Sequence, residues 1–138
     1  MIFLLCYFFS VNAVTYFDGT SDKQITIVYW SDFACPFCYI AEKRMEHVLE
    51  ELSLADQAEF IFRSFELDPN APSKRTKSVE HHFAEKYHLT LTEARQRVSY
   101  ISNLGKQEGI DFRYATVQAG NTFDAHRVTK MIQNLGNT

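Results

Sequence analysis

The feature that most limits what this chain can fold into is Cys35-Pro36-Phe37-Cys38, placed where the apolar run Ile25 to Trp30 gives way to an amphipathic segment starting near Pro36. Such a run is the kind of strand buried on both faces of a parallel sheet, so helices are expected on both sides of it. With two residues between them, both cysteines fall on the first helical turn, close enough for a small disulfide ring. Unpaired N–H groups and the helix dipole then favour a thiolate at Cys35, drawing its pKa from about 8.5 toward roughly 3.5–7.5. Cys35 is therefore the expected nucleophile and more exposed sulfur, with Cys38 turned toward the strand.

Zinc is the competing use of a CxxC, and it needs two more ligands. Neither a second CxxC nor a pair of histidines at ligand spacing follows; the remaining cysteine, Cys6, lies in an apolar leader. His81 and His82 are adjacent and would point about 100° apart on a helix, which disfavours shared chelation. Two inert core thiols would not require a strand-to-helix junction. Redox chemistry, with no cofactor and no metal, is what the residues favour.

A chain of 138 residues, 46% of them hydrophobic, can bury a core of its own. Fourteen basic against 17 acidic residues leave a net charge of −3, and no electrostatic footprint for nucleic acid results. Lys74, Arg75 and Lys77 read as a solvated loop. Residues 1–20 form an apolar leader: Met1 to Phe17 carries no charge, has Val11 and Ala13 where a cleavage site needs small residues, and lacks the basic start of a secretory signal. A signal peptide and a misassigned start are both compatible with it. The expected location is cytoplasmic, or exported if the leader acts as a signal, with no membrane association in the mature form.

Residues 21–72 read as a βαβ unit. The helix from Pro36 carries Cys38, Ala41, Met45, Val48 and Leu52 on one stripe, and Glu59 to Phe65 alternates as a second strand. Asp68-Pro-Asn-Ala-Pro72 then punctuates the chain, and residues 73–138 read as helical. Val79, Phe83 and Tyr87 form one stripe. Thr90 and Glu93 make a capping box for a helix carrying Leu91, Ala94, Val98 and Ile101, which Gly105 or Gly109 should stop. A last helix from Asn121 or Thr122 should bury Val128, Met131, Ile132 and Leu135 and end at Gly136.

Three blocks, TIVYWSDFACPFCYIAEKRM, FRSFELDPNAP and GNTFDAHRVTKM, together resemble the DsbA-like thioredoxin-fold family, most closely its FrnE branch. The resemblance implies an α/β, partial thioredoxin-like fold followed by a helical insertion domain, with thiol–disulfide exchange on protein thiols. It makes Cys35 the attacking and Cys38 the resolving cysteine. Pro36 and Phe37 would tune the potential, and His126 and Arg127 are placed near the site, although a surface helix pair fits those two equally well. Asp32 is expected to cap the helix and Trp30 to pack in the core.

In that family the chain returns from the insertion to add further strands and a cis-proline loop facing the CxxC. Here those C-terminal strands are expected to be missing, which would impair activity and leave sheet edges open to self-association. A glutathione-dependent alternative resembles glutathione transferase kappa or hydroxychromene-carboxylate isomerase. Those relatives use a serine in place of the thiol pair, so retention of both cysteines argues against it. A third alternative is a non-catalytic remnant that binds a partner through its uncovered sheet.

Overall fold

The computed structural model describes residues 25–117 and 119–136. The leader over residues 1–20 and its Cys6 lie outside the described residues. Elements run β1 (Ile25–Ser31), α1 (Pro36–Glu51), a short 3-10 turn (Ala55–Gln57), β2 (Ala58–Ser64), α2 (Val79–Tyr87), α3 (Leu91–Gln107) and α4 (Phe123–Asn134). β1 and β2 pair in parallel, with Ile25 opposite Ala58 and Ser31 opposite Ser64. Helix α1 is the crossover that a parallel pair requires.

The helix ends follow from local chemistry. Ser78 accepts from the His81 N–H at the head of α2. Thr90 and Glu93 cap α3 reciprocally, as their spacing predicts. Helix α3 runs past Gly105, which lies inside it because Phe112 leaves no room for a side chain: a Cβ there would stand 2.5 Å from the Phe112 ring. Gly109 (φ 73°) and Gly136 (φ 77°) take the left-handed conformation beyond the ends of α3 and α4.

Burial is distributed otherwise than the stripes suggest. The enclosed apolar residues are Ile40, Leu49, Ala94, Val98, Ile101 and Ile110, which gather where α1 meets α3 and the segment after it. Of the predicted α1 stripe, Val48 and Leu52 are exposed; the buried face instead contains Ile40 and Leu49. Val128, Met131, Ile132 and Leu135 of α4 are also exposed, and His126 is that helix's buried residue. The strands are only half-covered, with Ser31 alone fully buried, and Trp30 is 53% exposed instead of packed in a core. Apolar periodicity shows which residues share a face; coverage depends on what packs there.

Arg75 departs from the expected solvated loop. Its guanidinium donates to Asp68 Oδ2 at 2.7 Å and to His82 Nδ1 at 3.0 Å, and its N–H donates to the Ala119 carbonyl at 2.9 Å. Pro72 accepts from the Asn121 N–H at 2.9 Å, which ties the Pro-rich loop to the approach to α4. At Gly120 the backbones come so close that a Cβ would lie 2.3 Å from the Ser73 carbonyl oxygen. Among the described residues, no helix is long and apolar enough to cross a membrane.

Candidate redox site

Cys35 is the N-cap of α1 and Pro36 its first residue, where a missing N–H costs no hydrogen bond. Cys35 Sγ accepts from the Cys38 N–H at 3.3 Å. Both cysteines are free and half-buried, so the expected contrast between an exposed and an enclosed sulfur is not seen. Both come from one helical turn lying across the strand end, and neither reaches the packed interior. Phe37 is exposed between them.

The two thiols are hydrogen-bonded to each other and titrate as a pair. The bond to Cys35 lowers Cys38 to about 6, assisted by the Asp32 N–H and the Ser31 hydroxyl, while burial opposes it. Cys35 moves up, first because it holds the proton shared with Cys38 and then through burial. The opposed shifts are those of two thiols sharing one proton. The helix terminus does supply donors to Cys35, from Cys38 and Phe37, but the pair keeps one proton and Cys38 has its own donors behind the helix.

Asp32 does not cap α1, because Cys35 occupies that position. Instead its carboxylate joins segments: Oδ1 accepts from the Ala34 N–H at 3.1 Å and Oδ2 from the Leu67 N–H, beyond β2, at 2.7 Å. Its carbonyl accepts from the Cys35 N–H at 2.9 Å. His126 reaches the same carboxylate from α4, with Nε2 3.4 Å from Oδ1. The imidazole lies against Phe33 (centroids 4.9 Å apart) and stacks with Phe62 at 6.0 Å. Arg127 is turned outward, pairing with Asp124 at 3.1 Å over the Phe123 ring. The structure thus brings Asp32 and His126 together and leaves Arg127 on the surface.

Tyr114 was not foreseen. Its ring stacks on Phe112 beside the core, its hydroxyl is buried without a partner among the described residues, and burial plus the nearby Cys35 push its pKa up to about 12. No local motif marks it, because a loop after α3 carries it to the site.

The family model described as the DSBA-like thioredoxin domain matches residues 26–137. The chain belongs to this family. A solved structure of a probable DsbA oxidoreductase from Streptomyces coelicolor is similar to this DsbA-like domain, with a TM-score of 0.71 and 31% sequence identity. The match covers 80% of this chain and 47% of that one, so the chain spans about half the length of its structural neighbour. No curated protein matches it. The DsbA-like, thioredoxin-type α/β fold expected from the three sequence blocks is thereby established, and its first strand leads directly into the cysteine-bearing helix.

Proposed function

We propose that this chain carries the redox centre of a thiol:disulfide oxidoreductase of the FrnE branch, acting on protein thiols and disulfides. The observation that supports this most directly is a pair of hydrogen-bonded thiols, one holding its proton weakly, at the head of α1. In the reducing direction Cys35 passes its proton to Cys38 and attacks one sulfur of a substrate disulfide. A new S–S bond forms, the substrate bond breaks, and the departing substrate thiolate takes a proton. Cys38, deprotonated, then attacks Cys35; the mixed disulfide breaks and the second substrate sulfur leaves as a thiolate. Two electrons have moved from the cysteine pair to the substrate. The oxidising direction is the reverse, and glutathione is a small-molecule partner able to reset the pair by the same exchange.

Trapping tests the roles. Cys38→Ser should accumulate a mixed disulfide through Cys35 when mixed with an oxidised protein substrate, and Cys35→Ser should not. Accumulation through Cys38 alone would reverse the assignment. In the reduced chain, the alkylation rate should rise with a first ionisation near 6, the value to which Cys38 is lowered; a single step near that of a free thiol would remove the basis for the proposal.

Self-association belongs to the same reading. Among the described residues, each strand of the two-stranded sheet has an open outer edge, with Trp30 and Phe65 exposed at or beside the strand ends. Sedimentation should show mass rising with protein concentration, and a monomer throughout would refute this part.

A further inference from the structure

Three polar residues are buried among those described, namely Ser31, Asp32 and His126; the first two adjoin Cys38, and the third reaches Asp32 from α4. Ser31 and the Asp32 N–H face Cys38 as donors. The Asp32 carboxylate is an acceptor only 3% exposed, and a negative charge enclosed beside a thiolate opposes it. Its two main-chain N–H donors hold that carboxylate but bring no counter-charge to it. His126 is 5% exposed, is held between Phe33 and Phe62, and completes no hydrogen bond at either ring nitrogen among the described residues. A buried imidazole lacking other partners, with one nitrogen 3.4 Å from a buried carboxylate, is placed to act on that carboxylate.

We propose that His126 is a positioning residue for the redox pair: it screens the Asp32 carboxylate from the thiolate, so that α4 governs how readily the cysteines ionise and how strongly their disulfide oxidises. The proposal rests on the redox reading above and adds a regulator to it. Other titratable groups surround the site. Glu66, after β2, and Arg127 and Lys130 of α4 line the groove beside His126, and Tyr114 approaches Cys35 from the loop after α3. On the far side, Glu42 and Glu46 of α1 act on Tyr29 of β1. Asp32 differs from all of these in touching both cysteines through its own backbone.

Opposed signs distinguish screening from packing. In the full chain, His126→Phe keeps an aromatic ring but loses the nitrogen; it should slow alkylation near neutral pH about tenfold and shift the glutathione equilibrium about tenfold toward the disulfide, about 30 mV for a two-electron couple. Asp32→Asn should move the glutathione equilibrium the other way and bring the first ionisation, read from alkylation rate against pH, below its wild-type position near 6. In the Asp32→Asn background His126→Phe should have no further effect, because no carboxylate remains to screen. His126→Gln, which keeps a donor, should fall between His126→Phe and wild type and serves if the Phe variant does not fold. Glu66→Gln should leave the titration unchanged.

A His126→Phe chain that loses stability in urea while its thiol titration and glutathione equilibrium stay at wild-type values would overturn the proposal. So would equal shifts of one sign in His126→Phe and Asp32→Asn, or a Glu66→Gln shift as large as that of Asp32→Asn. A wild-type chain that forms no disulfide at any glutathione ratio would defeat the redox reading itself. Disulfide formation in wild type with unshifted variants would defeat only the role of His126.

Discussion

Two regions flank the cysteine pair and are packed differently. Toward α3, apolar groups close over one another: Ile40 of α1 meets Ile101 and Ile110, with Phe83, Leu104, Phe112 and Tyr114 around them. Around the strand ends and α4, contact is made by stacked rings and polar atoms that join β1, β2 and α4 to the segment ahead of α1: Tyr29 and Phe33 on Phe62, His126 on both Phe rings, and Gln133 donating to the Phe62 carbonyl at 3.2 Å. Large apolar side chains of α4 remain exposed on that side. The difference separates holding from tuning. Dispersion and burial on the α3 side fix where the helix lies, whereas the polar side fixes the charge its cysteines experience.

If that division is right, substitutions should rank by side. The largest loss is expected from Ile101→Ala, which removes a 3% exposed side chain from the core and should cost about 2–5 kcal/mol in urea denaturation. A loss within experimental error would place the core elsewhere. Gly105→Ala comes next: a Cβ 2.5 Å from the Phe112 ring imposes about 1–3 kcal/mol of overpacking, offset by about 1 kcal/mol of helix propensity, for a net destabilisation. On the other side, Phe62→Leu should lose about 0.5–1.5 kcal/mol for the aromatic contacts it removes, and a cost equal to that of Ile101→Ala would break the comparison. Met131→Ala, at a residue 59% exposed, should change stability by less than about 0.5 kcal/mol in dilute solution.

The parts of this molecule legible in the sequence are those written in neighbouring residues. The Thr90–Glu93 box, Pro36 at the first turn of α1, and the strand–helix–strand order around the cysteines depend on spacings of a few residues. The buried faces of α1 and α4 were less legible, because a helical stripe does not state what covers it; Ile40 and Leu49 are enclosed where Val48 and Leu52 are not. Pairing of Asp32 with His126 joins residues far apart in the chain, so the family-like blocks placed them near each other only in outline. Tyr114 was missed for the same reason, since its relation to Cys35 exists only once α3 has packed on α1.

The hydrogen-bonded sulfurs also determine a stoichiometry. A free dithiol carries two protons below the thiol range, so oxidising it to a disulfide releases two protons with two electrons. Here the first proton leaves near pH 6, and Cys35 holds the second far more tightly than an isolated thiol would. From about that pH upward, oxidation releases a single proton, and the midpoint potential should fall by about 30 mV per pH unit, half the slope of an unperturbed dithiol. Between about pH 6 and the ionisation range of free thiols, a rise in pH would therefore alter the poise of this centre about half as much as that of ordinary thiols around it.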